Sequence, residues 1–154
     1  MSNNPVIFRN AELNDLPLLV AMLADDELGR EREKWTDPLP HSYHEAFAAI
    51  QRDQNNELVV ACKDEKICGM LQLTFIPYLT YQGGWRCTIE GVRTSSNERG
   101  KGLGTLMLNW AIDRARERGC HVVQLTTDKK RLDAIRFYEA LGFTASHEGM
   151  KLHL

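Results

Sequence analysis

Three glycines on alternate positions, Gly100, Gly102 and Gly104, fall in the run Glu98-Arg99-Gly100-Lys101-Gly102-Leu103-Gly104-Thr105. Without Cβ atoms they leave the backbone N–H groups uncovered, and the run feeds a helical pattern that starts near Leu103. The first N–H groups of a helix have no intrahelical partner, and they lie at the positive end of its dipole. Such a loop attracts an anion, and a strand, a bare loop and a helix in this order form a diphosphate cradle. Two common diphosphate motifs are absent. The third glycine of GxGxxG would fall on Thr105, and Gly100-Lys101 is followed by Gly102 rather than by Ser or Thr. A second basic group, Lys129-Lys130-Arg131, lies downstream, where it is either a solvated loop or a further attraction for phosphate.

The elements that must position these groups follow from periodicity. A first strand is expected at 6–9. Asn14-Asp15 offers a cap to a helix whose face is Leu16, Leu19, Val20 and Leu23. Residues 25–40 read as a loop or broken helix, and Ser42-Tyr43-His44-Glu45 as a capping box for a second helix reaching about Arg52. Stretches 57–63 and 67–76, joined by Asp64-Glu65-Lys66, predict an antiparallel hairpin. A strand at 85–94 leads into the glycine run. Leu103, Leu106, Met107, Trp110 and Ala111 then follow helical spacing as far as Gly119. A strand at 121–126, a short helix at 133–141 and a returning strand from Phe143 complete the order. The alternating stretch 145–154 reads as a terminal strand lining either a groove or a dimer interface. The fold class expected is α/β (α+β), with a mixed, mostly antiparallel twisted sheet of about six to seven strands and helices on both faces.

Composition sets the outer bounds. The 154 residues are 43% apolar, which suits one globular domain over 1–154. With 19 basic and 21 acidic residues the formal charge is −2, so nothing draws the chain toward nucleic acid. No apolar run approaches the ~20 residues of a membrane span, and the start of the chain lacks the regions of a signal peptide. Cys62, Cys68, Cys87 and Cys120 lie in or beside apolar stretches without CxxC spacing, which reads as buried thiols of a cytoplasmic protein. The five histidines share no metal spacing, and no metal is expected.

Two segments carry a family likeness. Arg99-x-x-Gly102-x-Gly104 before a Leu/Met-rich helix resembles the pyrophosphate-binding segment of the GNAT superfamily of N-acetyltransferases. Residues 133–143, Asp-Ala-Ile-Arg-Phe-Tyr-Glu-Ala-Leu-Gly-Phe, resemble the C-terminal signature of the same superfamily. The two stand in the right order, and the likeness runs from Val6 onward. It implies acetyl-CoA as donor and a primary amine as acceptor, on a small molecule, an amino acid or a peptide. Protein N-terminal or lysine acetylation, and a non-catalytic acyl-CoA-binding or regulatory module, are the alternatives.

By the same resemblance Arg99, Gly100, Lys101, Gly102, Leu103, Gly104 and Thr105 would hold the pyrophosphate, chiefly through N–H groups. The backbone at Val92, Arg93 and Thr94 would pair with the pantetheine arm like an added strand. Tyr138 lies on the inward stripe Ala134, Phe137, Tyr138, Leu141, and would protonate the leaving sulfur. Glu90, on the strand before the loop, is the candidate base, expected to be partly buried; its plainer reading is a strand carboxylate paired with Arg86 or Arg93. Many members of the family carry Asn three residues before the Ala of the second signature, where this chain has Arg131. The acceptor side is expected to include Asp25, Asp26, Arg30, Glu31, Trp35, Tyr78 and Tyr81, and homodimers are common among such proteins.

Overall fold

The computed structural model describes residues 4–154. Its centre is one five-stranded sheet in the order β1-β2-β3-β4-β5: β1 (Ile7–Asn10), β2 (Asn56–Lys63), β3 (Lys66–Pro77), β4 (Trp85–Thr94) and β5 (Val122–Leu125). The first three pairings are antiparallel, and β4 with β5 is parallel. Hairpin β2–β3 closes through Asp64 and Glu65, both at positive φ, which matches the right-handed twist of the flanking strands.

Both faces are covered, and the residues of β2 record it. Val59 and Ala61 point to one hydrophobic layer and Val60 and Cys62 to the other, so β2 is a continuous apolar run rather than an alternating one. The larger layer joins Leu71, Leu73 and Phe75 of β3 to Leu103, Met107, Leu108 and Ala111 of the long helix α5 (Leu103–Glu117). The second layer, on the opposite face, joins α1 (Leu16–Leu23) and α3 (His41–Arg52) through Leu19, Val20 and Phe47. Three short elements complete the chain: α2 (Glu27–Arg32), the single turn α4 (Thr80–Gly83) and α6 (Leu132–Ala140).

Three expectations are corrected. Five strands form among the described residues, not six or seven. Nothing from Phe143 onward pairs with the sheet, because alternation makes a strand only where a ladder partner exists. The capping box at Ser42 does not form either. The helix begins two residues earlier, at His41 with Pro40 as its N-cap, so Ser42 is inside the first turn with no side-chain cap bond. Ser42→Ala is therefore expected to change the unfolding midpoint by less than ~0.5 kcal/mol equivalent, against about 1 kcal/mol for a working cap; chemical denaturation checks it. At the start of α1, Asp15 is the N-cap residue but makes no side-chain cap bond. Its carboxylate instead accepts from the Glu12 N–H at 2.8 Å and from Arg9 at 2.7 Å. All four cysteines are free; Cys62, Cys68 and Cys87 are buried as expected, whereas Cys120 is only partly buried. Burial pushes the Cys87 thiol up to about 12.

Candidate active site

The site begins as a fault in the sheet. Ladder partners on β3 and β4 run Gln72↔Glu90 and then Met70↔Arg93, so β4 carries one extra residue at Gly91–Val92. Gly91 takes φ +61, a conformation that favours glycine, and the strand bulges there. On the other side, the parallel pairing with β5 stops at Ile89↔Leu125. Beyond that point β4 runs on to Thr94 without β5, and the two strands form a fork. Val92, Arg93 and Thr94 line one arm of it, with an edge that β5 does not pair.

The glycine run closes the same end of the sheet. Gly100 and Gly102 have φ +76 and +84, and a Cβ at either would meet nothing within 4 Å. Gly102 is the N-cap of α5 and supplies no side-chain cap; among the described residues no protein acceptor takes the N–H groups of Gly102, Leu103, Gly104 or Thr105. These residues fit an anionic diphosphate: an open concave backbone, free donors and the positive end of a 15-residue helix. Gly104 has a second role. A Cβ there would lie 3.2 Å from Cζ of Phe137, so the glycine lets α6 pack against the start of α5. Phe137 is thus a packing residue, and it places its neighbour Tyr138 beside the fork.

Tyr138 is partly buried, 5.3 Å from Phe137 and 5.9 Å from Phe143 between ring centres. Its hydroxyl makes no hydrogen bond among the described residues. Burial pushes the phenol above its ordinary range, and the positive charges of Arg93 and Arg131 partly counter that. It stays protonated throughout the neutral range, as a proton donor must.

Those two arginines meet on one carboxylate. Asp26 lies 2.9 Å from Arg131 and 3.6 Å from Arg93, and it also accepts the Gly29 N–H as the N-cap of α2. Burial works to raise Asp26, but the Gly29 N–H and the two guanidinium groups outweigh it and hold the carboxyl below the usual carboxylate range. The Arg93 side chain is only 14% exposed. It donates to the Val92 carbonyl at 2.8 Å, and its Nε is buried without a partner among the described residues. Next door, Asp25 binds Arg99 at 3.0 Å across an exposed surface. Asp25 and Asp26, expected on the acceptor side, are thus committed to arginines, and the pair ties the α1–α2 loop to the glycine run, to β4 and to α6.

Arg131 accordingly points to Asp26 as the N-cap residue of α6. The sequence offered no signal for this, since Asp26 and Arg131 are far apart in the chain. Glu90 is exposed rather than partly buried, and it pairs with neither Arg86 nor Arg93. It belongs to a polar strip on the sheet face away from α5, with Gln72 and Thr74 of β3, Thr88 of β4 and Gln124 of β5. Tyr78 and Tyr81 lie elsewhere. Tyr78 stacks on His121 and Tyr81 packs tilted against it where β4 and β5 begin, the opposite end of β4 from the fork, and the Tyr78 hydroxyl bonds the His121 ring. Trp35 lines a separate surface cavity of about 630 Å³ with Pro17, Leu39 and His44.

A forked sheet, a bare helix start and a partly buried tyrosine thus meet at one end of the sheet. The acetyltransferase (GNAT) family model matches residues 21–143, and the chain belongs to that family of N-acetyltransferases. It is 30% identical over 106 residues to the aminoalkylphosphonate N-acetyltransferase of Salmonella typhimurium, covering 69% of this chain and 68% of that one. It is 29% identical over 142 residues to the L-methionine sulfoximine/L-methionine sulfone acetyltransferase of Pseudomonas paraeruginosa, covering 90% and 80% respectively. Among solved structures, a protein from Bacillus halodurans C-125 described as a transcriptional regulator superposes with a TM-score of 0.93. It shares 63% identity over 97% of this chain and 100% of its own. No helix among the described residues is long and apolar enough to cross a membrane.

Proposed function

We propose that this protein transfers the acetyl group of acetyl-CoA to the primary amine of a small, amino-acid-like molecule, by direct attack in a ternary complex. The observation that carries the reading is the fork between β4 and β5, with the uncapped start of α5 at its mouth and Tyr138 beside it. The free edge at Val92–Thr94 takes the pantetheine amide groups as a strand would, and the N–H groups of residues 99–105 hold the pyrophosphate. Support for a small acceptor comes from the relatives named for aminoalkylphosphonate and methionine sulfoximine.

The chemistry needs a proton removed, an oxyanion held and a thiolate released. The amine nitrogen, once deprotonated, attacks the thioester carbon, and the C–N bond forms as charge moves to the carbonyl oxygen. Glu90, exposed on the polar strip next to the bulge, accepts the amine proton directly or through water. Backbone N–H groups at the bulge face the oxyanion. The C–S bond then breaks and the Tyr138 hydroxyl gives its proton to the departing sulfur. We further read the protein as a cytoplasmic, single-domain homodimer.

The test is thiol release from acetyl-CoA with a panel of aminophosphonates, amino-acid analogues, polyamines and peptides. Saturable turnover on a small amine is expected; acetyl-CoA binding without turnover on any acceptor would overturn the assignment. Gly102→Ala provides a check on the cradle. Its left-handed φ costs an alanine about 1 kcal/mol, a strain the loop relieves only by shifting its backbone donors. A several-fold rise in the KM for acetyl-CoA is expected with the acceptor KM unchanged; an unchanged KM for acetyl-CoA counts against the cradle.

A further inference from the structure

The bulge at Gly91–Val92 decides which side chains of β4 share a face. Residues opposite each other in an antiparallel ladder project to the same side of the sheet, and positions two apart along a strand share that side. Glu90 is opposite Gln72 and Arg93 is opposite Met70, so Glu90 and Arg93 project together on the face that α1 and α3 cover. Without the extra residue Arg93 would be turned toward α5. The two positions stand about 6–7 Å apart, the length of two residues of β3.

Arg93 is also the less satisfied of the two arginines at Asp26. Oδ1 of Asp26 accepts the Gly29 N–H, and its Oδ2 lies 2.9 Å from Arg131. The same Oδ2 is 3.6 Å from Nη2 of Arg93, beyond hydrogen-bond reach. Nη1 of Arg93 donates to the Val92 carbonyl, and Nε has no acceptor among the described residues. Two guanidinium groups thus share one carboxylate, since Glu33 pairs with Arg32 and Asp25 with Arg99. Burial disfavours the Arg93 charge; Asp26 supports it, and Arg131 and Arg32 repel it. A largely buried cation with an unused donor edge favours a second anion, and a planar guanidinium suits a carboxylate or a phosphonate.

We infer that the Arg93 guanidinium binds an oxyanion carried by the acceptor, a carboxylate or phosphonate a few bonds from the amine that is acetylated. The inference rests on the acetyl-transfer reading and names the acceptor class within it. With the amine at Glu90 and the anion at Arg93, the acceptor lies along β4 across the bulge. The backbone of Arg93 serves the donor and its side chain the acceptor. Asp26 is a positioning residue, held by the Gly29 N–H and by Arg131 so that its charge steadies Arg93 without occupying the guanidinium edge. Neutral amines and diamines lack the second group and are selected against.

Matched acceptors test it. Alanine is compared with alaninamide, and 1-aminoethylphosphonate with its diethyl ester, as kcat/KM at saturating acetyl-CoA, corrected for the unprotonated fraction of each amine. At least one acid is expected to exceed its neutral partner by about tenfold or more, the effect of one charge-assisted hydrogen bond. The larger ratio says which oxyanion fits. In Arg93→Gln that ratio is expected to fall toward one, and Arg93→Lys should be intermediate because it keeps the charge and loses the planar fork. Calorimetric binding of the same four compounds to the wild-type protein loaded with coenzyme A needs neither turnover nor a variant that folds. Acid selectivity in binding without turnover on any amine supports the anion site and overturns the acetyl-transfer reading. Acids that bind and react no better than their neutral partners, or a selectivity that survives Arg93→Gln, overturn the role of Arg93.

Discussion

Tyr138→Phe is expected to lower kcat by roughly 100-fold or more, the usual contribution of a positioned general acid, while the KM for acetyl-CoA changes little. The ring would keep its place against Phe137 and Phe143, so stability should move by less than about 1 kcal/mol. The phenol oxygen holds no hydrogen bond among the described residues, which means that its removal orphans no donor or acceptor. Burial keeps the group protonated, with Arg93 and Arg131 moderating the rise. The variant should therefore lose rate at every pH between about 6 and 9 rather than shift the profile. Acyl donors with leaving groups of lower pKa, supplied as activated thioesters, should recover most of the rate, because a good leaving group needs no acid. Undiminished turnover with acetyl-CoA would remove Tyr138 from the mechanism.

Asp26→Ala is expected to destabilise the fold by about 2–3 kcal/mol and to raise the KM for acetyl-CoA. Three losses combine. The α2 N-cap disappears, which alone costs about 1 kcal/mol. Arg93, only 14% exposed, is left as a largely buried charge without its counter-ion, and removing one partner of such a pair costs more than the pair contributes. Arg131 is released from the start of α6, and Tyr138 rides on that helix. Asp25→Ala is the control: its exposed pair with Arg99 should contribute under ~1 kcal/mol. The acid limb provides a second readout. The folded Asp26 carboxyl is held below its unfolded value of about 3.9, so its contribution is fully present above that pH and is lost as pH falls through the folded value. Thermal unfolding between about pH 5 and pH 2 should accordingly be flatter in Asp26→Ala than in the parent protein. Equal acid limbs would show that the two arginines do not bear on Asp26.

How much of this was legible in the sequence differs by element. Helix α5 and strand β4 were, because both are long, strongly patterned and bounded by glycine, so local period and chain punctuation agree. The glycine run was read as a bare anion loop, and the positive φ of Gly100 and Gly102 agrees with that reading. Gly104 carried a meaning that no local rule contains: it clears room for Phe137, a residue more than thirty positions away. The stretch 143–154 has the right alternation for a strand and forms none, since a strand is defined by its partner and not by its own pattern.

The sequence by itself determined the order of the main elements from β1 to α6 and the family. These depend on short-range features: backbone freedom at glycine, helical spacing, and motifs a few residues long. Only the tertiary structure decided where charge resides. It set Asp26 between Arg93 and Arg131, Asp25 on Arg99, and Glu90 on an open polar strip. It also moved Tyr78 and Tyr81 to the far end of β4, away from the fork. The physical reason is that an ion pair falls off over a few ångströms of space, while its partners are drawn from elements up to a hundred residues apart in the chain. Their meeting is fixed only when the sheet forks and α2, β4 and α6 converge on it.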